Sequence, residues 1–120
     1  MKLLVCGSRH YHDGQRLSET LGLYLRQVGE DLIVIHGGCE TGADIMADWW
    51  CKKNEVDCMR VPAKWRVYDN AAGPIRNKRM RDRYKPDAAV AFRQLGAENV
   101  GTDGMIALLH EAGIPVEVIE

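Results

Sequence analysis

Short apolar runs and longer stretches of helical periodicity alternate along this chain of 120 residues. Lys2–Cys6, Asp31–His36, Asp57–Val61, Asp87–Phe92 and Pro115–Ile119 read as strands, being short and set between turn-forming residues. Gln15–Val28, Ala43–Lys53, Ala72–Tyr84 and Thr102–Ala112 read as helices between them. In the first helix Leu17, Leu21, Tyr24, Leu25 and Val28 share one stripe, and Met105, Leu108, Leu109 and Ala112 do so in the last. Gly29 and Gly113 follow directly, where a helix end favours a positive backbone φ. The order βαβαβαβαβ predicts an α/β fold: a single Rossmann-like domain over residues 1–120, with a parallel five-stranded sheet covered by helices on both faces.

Such a sheet binds ligands beyond the carboxyl ends of its strands, near a switch in strand order. Four loops therefore carry the interest: Gly7–Gly14, Gly37–Gly42, Pro62–Gly73 and Arg93–Gly101. They hold most of the glycines and the less ordinary chemistry.

Composition narrows the picture little, since 46% apolar and 28% charged residues are ordinary for a globular chain. The distribution of charge says more. Between residues 60 and 85 nine Lys/Arg face two acids, in a chain whose net charge is −1. A basic block in an acidic protein suits an anionic ligand, although a solvated helix face accounts for part of it. The opening residues read as the first core strand rather than an export signal, so a cytoplasmic location with reduced thiols is expected. Cys6, Cys39, Cys51 and Cys58 have no close-paired spacing, so no metal is expected, and no resident cofactor either.

Four constellations stand out. Gly7-Ser8-Arg9 offers close backbone approach, a hydroxyl donor and a two-pronged guanidinium. The run from Gly37 and Gly38 through Thr41, Gly42 and Asp44 suits amides turned toward an anion at a helix start, with Thr41 at the entrance and able to cap it. It is neither a Walker A loop nor a GxGxxG fingerprint. Around Arg76 and Asn77 the wheel places Ala72, Ile75 and Met80 on an apolar arc, with Arg76 inside it. An arginine there faces a ligand or pairs with Asp44 or Asp103, because an unpaired buried charge costs several kcal/mol. Gly101 and Thr102 at the last helix entrance form a fourth anion site, or an ordinary cap. Separately, Ile45 and Trp49 lie off the inner stripe of Ala43, Met46, Ala47 and Trp50, which suggests a partner surface for a homodimer or higher oligomer.

Taken in order, GSR, HGGCETGAD, PAKWRVYDNAAGPIRNKRM, DAAVAF and GTDGMIALLHEAGIPVEVI resemble the SLOG superfamily, most of all its YspA/YpsA-related branch. Lonely Guy phosphoribohydrolases and the DNA-processing protein DprA/Smf are distant members. The resemblance implies one pocket for a nucleotide-derived ligand, lined by Gly7, Ser8, Arg9, the Gly37–Asp44 loop, Arg76, Asn77, Gly101 and Thr102. It also exposes a departure. Met105 stands where Lonely Guy enzymes carry a glutamate, and methionine can neither move a proton nor steady a developing sugar cation.

The expectation is therefore binding without catalysis, and no catalytic residue is assigned. The ligand would be an ADP-ribose derivative or cyclic nucleotide signal, held by a sensor or, in a phage, by a sponge that sequesters a host immune signal. Two alternatives stay open. One is cleavage of an N-glycosidic or phosphoester bond using Asp44, Glu40 or Asp103. The other is a DprA-like nucleic-acid module using the block from Arg60 to Lys85, which has few stacking aromatics (Trp65, Tyr68, Tyr84). No membrane association is expected.

Overall fold

The computed structural model describes residues 1–120. Its elements are β1 (Lys2–Gly7), α1 (Gly14–Val28), β2 (Ile33–His36), α2 (Ala43–Asn54), β3 (Asp57–Arg60), α3 (Trp65–Tyr68), α4 (Ala72–Asp82), β4 (Ala88–Phe92), α5 (Val100–Glu111) and β5 (Val116–Ile119). All four strand pairings are parallel, in the order β3-β2-β1-β4-β5. The expected α/β class and five-stranded parallel sheet are what the chain adopts.

Two apolar layers follow from the strand period of two. On β1, Leu3 and Val5 face α1 and α2, where they join Leu17, Leu21, Ala43, Ala47 and Trp50. Leu4 and Cys6 face the other way, into a layer with Met80 of α4 and Met105 and Leu109 of α5. Central β1 and β4 are covered on both sides, which is why they read as continuous apolar runs. β3 is an edge strand and exposed throughout. No helix is long and apolar enough to cross a membrane.

Several helix details differ from the pattern. Ala112 lies past the end of α5 and is exposed rather than part of the inner stripe. On α4 the inward positions are Ala72, Asn77 and Met80, while Ile75 is 42% exposed. Ile75 was expected inside, but α4 turns a polar edge toward the strand ends, and the helix rotates to suit Arg76 and Asn77. The turn α3 was not foreseen, because one helical turn inside a long loop is too short to show a period. Gly29 and Gly113 do take positive φ, at 77° and 71°.

One core group is unsatisfied. Tyr11 is 4% exposed, with its ring 5.1 Å from that of Phe92, and its hydroxyl has no hydrogen-bond partner. Leaving a buried hydroxyl unpaired costs about 1–3 kcal/mol. Tyr11→Phe should therefore raise the unfolding free energy by about 1 kcal/mol in urea denaturation. A loss of similar size would show that the hydroxyl is satisfied in solution.

Candidate functional site

Strand order reverses between β1 and β4, so the loops leaving their carboxyl ends run to opposite faces, the position at which open parallel sheets take ligands. Gly7 ends β1. A Cβ there would lie 2.5 Å from Ala43 Cβ and 2.6 Å from the Phe92 carbonyl oxygen, so only glycine lets α2 start against the strand. Ser8 then ties the loops together. Its N–H donates to Phe92 O (2.9 Å), and its carbonyl accepts from Tyr11 N–H (3.1 Å) and Ala43 N–H (3.3 Å). Its Oγ accepts from His10 N–H (3.0 Å) and donates toward Glu98 O at 3.5 Å. An anion recruiting this hydroxyl would draw its proton from that long, weak bond. Arg9 beside it is exposed and forms no hydrogen bond or ion pair.

The glycine-rich loop after β2 is braced differently from expectation. Thr41 does not cap α2: the N-cap residue is Gly42 at φ 76°, with no side-chain cap, and Thr41 is exposed. Gly42 lies so close to the Ser8–Arg9 backbone that a Cβ would sit 2.2 Å from Ser8 O. The bracing comes from Asp44 in the first turn of α2. Its Oδ2 accepts the Cys39 N–H at 3.1 Å. Asp44 is buried, and burial pushes its pKa up despite the opposing pull of the Cys39 amide, His36 and Arg76.

Arg76 reaches into this loop from α4, in the opposite helical layer. Its Nη1 donates to Gly37 O, with Val61 O further off at 3.4 Å, and its Nε donates to Asn77 Oδ1 at 2.9 Å. A Cβ at Gly37 would meet the guanidinium at 2.5 Å and Asp44 Oδ2 at 3.0 Å, so a side chain there would displace Arg76. Arg76 makes no ion pair. Asp44 is near enough to act through its field, and Asp103 is engaged by Arg93 at 2.8 Å instead. Nη2 of Arg76 has no protein partner. The buried Asn77 thus positions the arginine, leaving the N–H groups of Nη2 free.

At the fourth loop, α5 begins at Val100, two residues earlier than the pattern indicates. Thr102 is therefore inside the first turn and 5% exposed, facing the same layer as Met105 rather than capping the helix. Gly101 is exposed with open space around it. Asn99 supplies no side-chain cap to α5. Its amide clasps the loop instead, through Gln94 N–H (3.0 Å), Gln94 O (3.1 Å) and Ala97 O (2.9 Å).

Residues outside the expected set also reach the rim. Arg60 Nη2 donates to Gly38 O at 3.2 Å. A cleft of about 70 Å³ on the outer side of Arg76 is walled by Lys64, Tyr68 and Arg79. Their only signal in the sequence is the dense positive charge. His36, Asp48 and Cys58 form a further cluster under α2, missed because their spacing of 12 and 10 residues matches no local motif. Of the expected partner surface, Ile45 is half-buried while Trp49 is 59% exposed, beside a groove between α1 and α2.

Asp44 yields a pH signature. Its folded pKa lies above its unfolded value of about 3.8, so the folded state holds the proton more tightly. That contribution is complete below the unfolded value and is lost as pH rises through the folded one. Relative to Asp44→Asn, the wild type should lose stability as pH climbs above 3.8, then level off. Urea titrations across this range check the slope. The reverse slope would mean that the amides and Arg76 outweigh burial.

A family model described as "YspA, cpYpsA-related SLOG family" matches residues 1–68, which include the loops after β1 and β2. The chain is also similar to the "Gene 61 protein" of Mycobacterium phage D29, 33% identical over 120 residues, spanning 96% of this chain and 93% of the phage protein. This chain belongs to the YspA, cpYpsA-related SLOG family.

Proposed function

We propose that the protein binds a phosphorylated, nucleotide-derived ligand at the carboxyl ends of β1 and β4 and holds it without turnover. The observation that carries this reading is the Arg76 guanidinium, held at Nη1 by Gly37 O and at Nε by Asn77 Oδ1 and free at Nη2. Two polar partners fix its plane in advance, so a phosphate meets a donor whose ordering is already complete. The uncapped starts of α2 and α5 add amide dipoles of the same sign. Arg9, Arg60, Lys64 and Arg79 extend the positive field along the rim.

Family membership favours a nucleotide-related ligand. Absence of turnover is favoured by Met105, which is fully buried and chemically inert at the position of the Lonely Guy glutamate. Asp103 is exposed and taken up by Arg93, so it is no substitute acid. The phage relative suits the sequestering form of the reading, in which a cytoplasmic protein removes a host signal such as an ADP-ribose derivative or cyclic nucleotide. A hydrolase remains the second reading, because burial makes Asp44 a carboxyl that keeps its proton above the usual range.

One experiment separates the two. The protein is incubated with ADP-ribose compounds and cyclic nucleotides, then denatured, and the released material is analysed by mass spectrometry. Intact ligand supports sequestration, whereas cleaved products establish the hydrolase. Arg76→Ala, checked for fold by circular dichroism, should weaken binding about ten- to a hundredfold, the loss of one charge-assisted contact. Unchanged affinity would remove Arg76 from the site.

A further inference from the structure

A second constellation lies where α2 crosses β2 and β3, on the side of His36 away from the glycine-rich loop. His36 Nε2 and Asp48 Oδ1 are 2.9 Å apart, and Cys58 Sγ is 3.8 Å from the same Oδ1. All three donor atoms lie within 4.8 Å of one another. Asp48 and Cys51 are three residues apart on α2 and so share a face, and Cys51 is buried. Asp48 Oδ2 is occupied by exposed Lys52 at 2.9 Å, leaving Oδ1 turned inward.

We propose that His36, Asp48 and Cys58 bind one divalent cation of the zinc type. Zinc bonds of about 2.0–2.3 Å in a tetrahedron set donor atoms about 3.4–3.6 Å apart. The sulfur-to-oxygen spacing is close to this already, and the nitrogen-to-oxygen spacing needs to open by about half an ångström. One imidazole, one carboxylate and one thiol form a borderline-soft set that selects zinc or cobalt over magnesium and calcium. Cys58 lies on the exposed edge strand, so the site is open to solvent on one side.

Loading the site has a local consequence. Gly38 N–H donates to His36 Nδ1 at 3.0 Å, which puts the ring proton on Nε2, pointing at Asp48. A cation takes the Nε2 lone pair, so the proton moves to Nδ1 and the Gly38 amide turns to water. Gly38 is half-exposed with φ 72°, so this change stays within one residue.

The test uses the full chain without a histidine tag, freed of metal and kept in a phosphine reductant. Cobalt(II) is titrated first, then zinc. The expected result is saturation at one equivalent, with a thiolate-to-cobalt charge-transfer band and the visible spectrum of a four-coordinate ion, both abolished by zinc and untouched by magnesium. Cys58→Ser, a change on an exposed strand that leaves the fold intact, should lose the charge-transfer band and weaken binding at least tenfold. Failure to saturate at one equivalent overturns the proposal, as does an unchanged band or affinity in Cys58→Ser.

Discussion

A guanidinium held partly out of water between two strand ends governs the shape of the candidate site's rim. Arg76 is desolvated enough for burial to oppose its charge, yet no carboxylate pairs with it directly. Its charge is spread over the Gly37 and Val61 carbonyls, the Asn77 side chain and the field of Asp44. Each partner constrains something else. Gly37 can carry no side chain without displacing the guanidinium, Asp44 is buried beside the loop amides, and α4 presents Asn77 inward where an apolar residue would ordinarily sit.

The layered fold was legible in the residues because its causes are local and repeated. Strand runs bounded by turn residues and single-sided helical stripes gave all five strands and the four long helices to within two residues at nearly every end. The exceptions are informative. Helix α4 has almost no amphipathic pattern, since Asn77 faces in and Ile75 faces out, so a wheel based on hydrophobicity misplaces Ile75. Tertiary contacts set that rotation, among them the Arg76–Gly37 bond across 39 residues and the packing of Met80 against Met105 and Leu109.

Site residues were recognisable where glycine was forced by close approach, as at Gly7, Gly37 and Gly42. Side-chain roles were less so. Thr41 and Thr102 look like caps in sequence, but α2 begins after a glycine and α5 begins two residues early, so neither caps its helix. Within the basic block, Arg81 is neutralised by Asp82 and Glu111, while Arg60 and Arg76 bond to carbonyls. Charge counting cannot distinguish these fates, because they depend on which groups the fold brings alongside. The cluster of His36, Asp48 and Cys58 was invisible for the same reason.

The β1/β4 reversal has a mechanical side. Arg76 belongs to the layer of α4 and α5, while the loop it grips feeds α2 in the layer across the sheet. A molecule held at these strand ends therefore bridges two slabs joined by the five short strands and by the Arg76 grip. Occupancy would damp sliding of one slab over the other, so its imprint should extend along both helical layers, well beyond the atoms it touches.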